Sequence, residues 1–469
     1  MSEFQNIKHK ALKLNLDDSI YGTFAEIGAG QEVAANFFKA GAASGTIAKS
    51  ISAYDMTFSD SIYGKEPSGR YVCQSRVEKM INYEYDLIQE RLGPKHPDRR
   101  FFAYANTVVA RNYHGTNSPN GWLGVRFQKN PGDDPSDLIL HIRMHDHTTI
   151  QQARAIGVLG VNMLHACYYR CDSISNLVHE LMEHLSTESI EIDMVETRGP
   201  AFSHIDNRLL NLELIVQSIT DAVMFDEKGQ VRLAKDELYK KNIMLTRGSF
   251  RPPTKVNVNI LETGLSNFKK DIHEEEVVSL AEITINHLKE DGAITSDDFL
   301  ARVDLLASIG QKVLVTNMPQ FYRLTNYLST FKPKQIALVL GVYNFMQVFD
   351  ENYTSLDGGI LEALGCLFKP NVTIYLCPYK EEEKGVLISL NNVEVNKKNE
   401  HLLDHIKDNG QVKNLEGVNE KILHIYSRKV LDMIRSSEEG WEELVPTVIA
   451  DTINAKCLFG HPCDHKQGS

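Results

Sequence analysis

From residue 274 to residue 377 the chain alternates short apolar runs with amphipathic stretches, and this alternation restricts the fold more than any other feature. The spacing predicts helices over 275–289, 297–309, 320–330, 345–349 and 360–368, and strands over Lys312–Thr316, Gln335–Gly341 and Val372–Cys377. Strands that alternate with helices pair in parallel through right-handed crossovers, so a Rossmann-like domain with a mostly parallel sheet is expected. A Lys- and Glu-rich run over 380–420 reads as a connection, and 421–456 as one or two closing helices.

The first half reads differently. Ile20–Ile27 suits a strand, followed by Gly28-Ala29-Gly30 and a helix over Glu32–Ala40. Tyr71–Leu92 carries apolar residues at three- and four-residue spacing and stops at Gly93-Pro94, which predicts a helix. Phe101–Arg111, Trp122–Gln128 and Leu138–Met144 are strand-like, separated by segments rich in Asn, Gly, Pro and Asp, and read as an antiparallel meander. Helices over Ile150–Tyr169 and Ser173–Leu185, a strand over Ile190–Thr197 and a long helix over Ile205–Phe225 complete the pattern, with further strands expected at Ile243–Thr246 and Lys255–Ile260. The expected fold is thus α/β and α+β: an α+β domain with an antiparallel meander over 1–230, a Rossmann-like α/β domain over 231–400 and a helical C-terminal extension over 401–469.

Composition narrows the partners. A chain of 469 residues is too long for one ordinary core. Fifty Lys and Arg against 62 Asp and Glu give a net charge of −12, so a nucleic-acid polymer is not expected. The N-terminus lacks an apolar h-region, and the longest apolar stretch, Ile336–Phe349, is broken by Gly341, Asn344 and Gln347, so neither a signal peptide nor a membrane span is expected. Seven cysteines, mostly in apolar segments, suit a reducing, cytoplasmic setting.

Several motifs carry possible chemistry. Gly28 and Gly30 follow a strand and precede a helix, as in turns that admit a cofactor, with Asp55 in the place of a ribose-binding acid; an ordinary glycine turn is the alternative. The run Gly41–Ser50 is not a Walker loop, because Lys49 stands too far from the second glycine. His179 and His184 are five residues apart and share no helix face, so they form no zincin motif. On the meander, Arg126, His141 and Arg143 fall on one face, with Arg111 and Asp146 at strand ends. Such a cluster either grips a phosphate or carboxylate bidentately or is a solvated face of salt bridges, and a metal held by His141, His145 and His147 is a further alternative, with His147 past the strand. Arg247 and Arg251 flank Gly248-Ser249 in the most basic stretch, which either binds an anion or forms a surface hairpin. Thr316-Asn317 after Val-Leu-Val resembles the second motif of haloacid-dehalogenase-type phosphatases, but their Asp-x-Asp nucleophile is absent, since Asp226-Glu227-Lys228 has Lys in the second place. Asp357 and Gly358 open a helix and offer a second phosphate seat. Cys457, His461, Cys463 and His465 cluster at the C-terminus without an ordinary zinc spacing, and no metal is assigned.

Taken together, the segments YGTFAEIGAGQEVAANFF, GTIAKSISAYD, GWLGVRFQ, ILHIRMHDHT, YKKNIMLTRGSFRPPT and LDGGILEALGCLF resemble a family of bacterial proteins of about this length. Its members are described as nicotinamide- or nicotinate-nucleotide adenylyltransferases and, elsewhere, as TonB-dependent receptors. The second description implies an outer-membrane barrel, whose repeated alternating strands are not found in this sequence. The first implies an early strand followed by a His-x-Gly-His-type signature that holds ATP phosphates. The only Gly-His pair here is Gly460-His461, so no catalytic residue carries over.

The resulting expectation is a cytoplasmic enzyme or enzyme-like binder of a phosphorylated small molecule or nucleotide, with no cofactor assigned. Arg111, Arg126, His141 and Arg143 would neutralise the anion, Arg247 and Arg251 would complete the pocket, and Asp146 would be the nearest general base. The alternative is a non-catalytic, self-assembling scaffold, and a homo-oligomer is expected under either reading.

Overall fold

The computed structural model describes residues 3–28, 30–289, 292–381 and 386–462. The chain is a mixed α/β protein of two compact units, Met1–Thr220 and Asp221–Ser469.

The first unit runs α1 (Glu3–Asn15), β1 (Ile20–Gly28), α2 (Val33–Ala40), β2 (Ile47–Ile51), α3 (Met56–Tyr63), α4 (Gln74–Leu92), β3 (Arg100–Val109), β4 (Asn120–Phe127), β5 (Ser136–Met144), α5 (Thr149–Tyr169), α6 (Ile174–Met182), β6 (Ile190–Arg198) and α7 (Asn207–Val216). Its six strands lie in the order β2-β1-β3-β4-β5-β6. β1 pairs in parallel with β2 and β3, β3 to β5 form the expected antiparallel meander, and β6, reached through α5 and α6, adds antiparallel to β5. Helix α5 is buried continuously from Ala155 to Tyr168, because it is apolar on every side and packs between the sheet and its neighbouring helices. Gly157 and Gly160 let α2 come close to it: a Cβ on Gly160 would stand 2.4 Å from Val33 Cγ2. Helix α4 covers the opposite face, where Val77 and Ile81 pack over Gly124.

The second unit runs β7 (Ala222–Phe225), β8 (Val231–Arg232), α8 (Ala234–Leu238), β9 (Asn242–Arg247), α9 (Lys255–Ile272), β10 (Val277–Thr284), α10 (Ile285–Leu288), α11 (Ser296–Ser308), β11 (Lys312–Thr316), α12 (Phe321–Ser329), β12 (Ile336–Gly341), α13 (Val342–Val348), α14 (Gly359–Leu367), β13 (Val372–Cys377), β14 (Tyr379–Lys380), β15 (Leu387–Ile388), α15 (Glu400–Asp408), β16 (Val412–Asn414), α16 (Ser427–Ser436) and α17 (Thr447–Lys456). The main sheet has the order β16-β13-β12-β9-β10-β11-β7-β8. The run from β16 to β11 is parallel throughout, and β7-β8 is an antiparallel hairpin on its edge. Counted from β9 along the chain, the parallel strands follow the doubly wound order 3-2-1-4-5-6. Apolar side chains of α9, α16 and α17 fill one face and those of α12, α14 and α15 the other.

The structure corrects four expectations. The helix expected over Ile205–Phe225 ends at Val216: Ser218 turns the chain with φ +57°, and Ala222–Phe225 becomes the strand β7, paired on both sides by β11 and β8. A short run of buried apolar residues fits either element by periodicity. Lys255–Ile260 is the start of α9, because Thr254 and Asn257 cap it reciprocally. Residues 277–284 form β10, not a helix; this strand lies inside the sheet with Leu280–Thr284 buried, so it lacks the alternation that marks a half-exposed strand. Residues 401–469 are no separate extension, since β16 pairs with β13 and α16 and α17 close a core, while the division between units falls after Thr220.

Candidate functional site

The meander pairs Arg126 with Asp137, Trp122 with His141 and Asn120 with Arg143. Arg126, His141 and Arg143 therefore share a face but do not converge, because β5 rises roughly 20 Å between Asp137 and Arg143. Each also meets an acid. Arg126 makes a fork to Asp137, with Nε–Oδ1 at 2.7 Å and Nη2–Oδ2 at 2.9 Å, and this bond raises its pKa. Arg143 lies 3.3 Å from Glu191, which His145 also contacts at 3.1 Å. Burial favours the neutral form of Glu191, but His145, Arg143 and the Thr220 hydroxyl outweigh it and hold the carboxyl below its ordinary range. The buried His141 ring places Nδ1 2.5 Å from Asp193 and packs edge-on against Trp122. Asp146 accepts the Ser189 hydroxyl, and Arg111 lies 3.4 Å from His147. The expected single cluster is therefore a row of separate contacts, and Arg247 and Arg251 belong to the second unit.

The glycine turns serve packing. Gly28 has φ +79°, and a Cβ there would stand 2.2 Å from the Val108 carbonyl. Gly30 lies against Asn106, whose Nδ2 donates to its carbonyl at 2.8 Å. The amides that open α2 are taken by the chain's own carboxylate: Val33 and Ala34 donate to Glu26 at 2.9 and 3.3 Å. Glu26 is buried with no ion pair among the described residues, and that burial pushes its pKa up to about 7. Asp55 accepts the Phe58 amide and caps α3. At the other proposed seat the Gly358 amide donates to Glu362 at 2.8 Å, beside an exposed Asp357.

In the second unit the carboxyl ends of the strands form a connected polar edge. Arg247 closes β9 opposite Glu282 of β10, with Nε–Oε2 at 2.5 Å and Nη2–Oε1 at 2.8 Å. Their side chains are 6% and 0% exposed. The Thr316 hydroxyl of β11 donates to Glu282 at 2.6 Å, and Arg247 also donates to the carbonyls of Met318 and Pro319. Arg247 is thus a strut that ties the ends of β9, β10 and β11. Arg251 pairs with Asp298 at 2.5 Å, and the same acid holds Arg302. His287 Nδ1 accepts the Thr284 amide, which leaves Nε2 to carry the ring proton. Burial, then the charges of Arg247 and Arg302, push its pKa down to about 4.

The order of the strands reverses between β9 and β12, the place where open α/β sheets take ligands. There Asn257 Oδ1 accepts the Thr254 amide at 2.9 Å and the Ser427 hydroxyl at 3.2 Å. The second bond joins the N-terminus of α9 to that of α16. Neither first turn contains an acid. Instead Lys255, Arg428 and Lys429 stand exposed there, without an ion pair among the described residues. Cations at a helix N-terminus oppose the macrodipole, and α11 shows the usual choice with Asp297 and Asp298. On the same edge of the sheet Gly341 closes β12 with open space where a Cβ would stand. Tyr343, 59% exposed, sets its ring 4.8 Å from that of Tyr379. The Thr246 hydroxyl near the end of β9 is buried without a partner among the described residues.

In a sheet of this order, the first β–α turn is where the His-x-Gly-His-type signature implied by the resemblance would fall. The residues there run from Gly248 to Thr254 and carry no imidazole. Sequence reasoning missed Thr254, Asn257, Ser427, Arg428 and Lys429; the signal available was Pro252-Pro253-Thr254 ahead of an apolar stripe, a helix start. Among the described residues no group of three ligand side chains could hold a metal. His461 packs on Trp441, while Cys463 and His465 lie outside the described residues. No helix among the described residues is long and apolar enough to cross a membrane.

No family model matches the chain, and no curated protein matches it. Among solved structures it is similar to the competence/damage-inducible protein CihA of Agrobacterium tumefaciens, at 14% identity and TM-score 0.26 over 35% of this chain and 96% of that one. It is also similar to a competence-damaged protein (CinA) superfamily protein of Klebsiella pneumoniae, at 12% identity and TM-score 0.25 over 35% of this chain and 98% of that one. A protein of the same superfamily from Escherichia coli matches at 13% identity and TM-score 0.24, over 34% and 87%. At these scores the likeness decides nothing about function.

Proposed function

We propose that the second unit binds a phosphorylated small molecule, a nucleotide, at the carboxyl edge of its doubly wound sheet. The observation that carries this reading is the meeting of two helix N-termini, at Asn257 and Ser427, with Lys255, Arg428 and Lys429 unpaired in their first turns. Two helix N-termini and three cations suit the negative charge of a phosphate chain. The exposed Tyr343 offers a flat apolar surface to a base, and Gly341 leaves room beside it. Arg247 is not a ligand in this reading; Glu282 already holds both sides of its fork, and it keeps the strand ends in place. Thr254 and Asn257 have no group that titrates near neutrality, so the function is binding, and no catalytic step is assigned to this edge. The nucleotide in this reading is taken from the family the chain resembles, whose members are described as nicotinamide- or nicotinate-nucleotide adenylyltransferases.

A thermal-shift series with adenosine, AMP, ATP and nicotinamide mononucleotide tests the reading. A ligand at about a hundred times its Kd adds about 2.7 kcal/mol to stability. Phosphorylated compounds are expected to raise the melting temperature and adenosine is not; equal shifts with adenosine and ATP contradict the phosphate seat.

A further inference from the structure

In the first unit β2 is an edge strand, and α4 overhangs it. Glu84, Leu87, Ile88, Arg91 and Leu92 repeat on the three- and four-residue spacing of one helix face, and with Ala48 and Lys49 of β2 they line a cleft of about 250 Å³. Its inner end is polar and built. Glu84 is buried, with a side chain 1% exposed, and accepts the Tyr63 hydroxyl at 2.8 Å, the Thr23 hydroxyl at 3.3 Å and the Lys49 ammonium. That carboxylate is fully compensated, and one ion pair leaves Lys49 with further N–H donors at the cleft. Arg91 at the mouth is exposed and has no ion pair among the described residues. The walls are mostly aliphatic, so the cleft combines an apolar body with one surplus positive charge.

We propose that this cleft binds a small monocarboxylate with a short aliphatic body, its carboxylate between Lys49 and Arg91 and its chain against Leu87, Ile88 and Leu92. A neutral alcohol of the same length lacks the charge. An amine meets Arg91 and Lys49 with like charge, which disfavours it. The volume lies below the range of drug-sized pockets, which limits the ligand to a short chain.

Methyl NMR of the full chain tests this with hexanoate, hexan-1-ol and hexylamine as probes. Hexanoate is expected to shift the methyls of Leu87, Ile88 and Leu92 saturably, and hexylamine is expected to leave them in place. Arg91→Glu should weaken hexanoate by about tenfold or more, as loss of a charge-assisted contact requires, with the melting temperature unchanged. No saturable shift with hexanoate, or equal binding of the amine, overturns the proposal. So do shifts of the same methyls that follow protein concentration without ligand, since a second copy of the chain would then be the occupant.

Discussion

Replacing Glu26 by Gln probes the one carboxyl that caps a helix from inside the core. Glu26 serves two α2 amides, is 3% exposed and has no ion pair among the described residues; the titratable group that acts on it is Glu32 of the α2 N-cap, and Glu26 in turn acts on the buried Tyr104 of β3. Burial raises its pKa from 4.5 to about 7. The folded chain then holds more protons than the unfolded chain between those two values, so this group's contribution to stability falls as pH rises through that window and levels off above it. At 1.36 kcal/mol per pH unit, the loss is about 3 kcal/mol. Gln keeps an acceptor for one amide and cannot ionise, at a capping cost of about 1 kcal/mol. Urea unfolding followed by Trp122 fluorescence, in a Trp441→Phe background, reads the first unit alone, because these are the chain's two tryptophans. The variant should be less stable than the parent at pH 5 and more stable at pH 8. Comparing the two proteins cancels every other titrating group. Stability curves that run parallel from pH 5 to pH 8 would refute the assignment of a buried carboxyl without a counter-charge.

Three further outcomes follow from the packing. Gly160→Ala should cost about 1–3 kcal/mol by thermal unfolding, because its Cβ meets Val33, and Val33→Ala in the same chain should recover part of the loss. Arg247→Met leaves the fully buried Glu282 without its counter-charge and should cost about 3–5 kcal/mol in the second unit, while the double change with Glu282→Gln should cost less than Arg247→Met alone. Ser427→Ala removes the link between the starts of α9 and α16, so it should lower nucleotide affinity with a stability loss of about 1 kcal/mol.

The strands and helices that alternate with clear period were legible from residues alone: the meander from Arg100 to Met144, α4, α5, and the parallel strands β11, β12 and β13 stand where the spacing puts them. What failed was of two kinds. Apolar segments inside a sheet, Val277–Thr284 and Ala222–Phe225, give no alternation to read, so period could not separate strand from helix. The site failed for a different reason. Face assignments on the meander were right, but a shared face is not a shared place, and Arg126 and Arg143 lie at opposite ends of one strand pair with acids already opposite them. The cations without partners sit on helices that meet only through the tertiary fold, with Asn257 and Ser427 far apart in sequence. The resemblance carries no residue to that edge, because the histidine signature it implies is not found there.

Calorimetric titration of ATP into the full chain and into the Arg428→Glu, Lys429→Glu double variant tests the phosphate seat most directly. Saturable binding to the parent that weakens as salt is raised, and that drops by about a hundredfold or more in the variant, is the predicted result. Binding of equal strength in both proteins, or no binding to the parent at any salt concentration, would contradict the account.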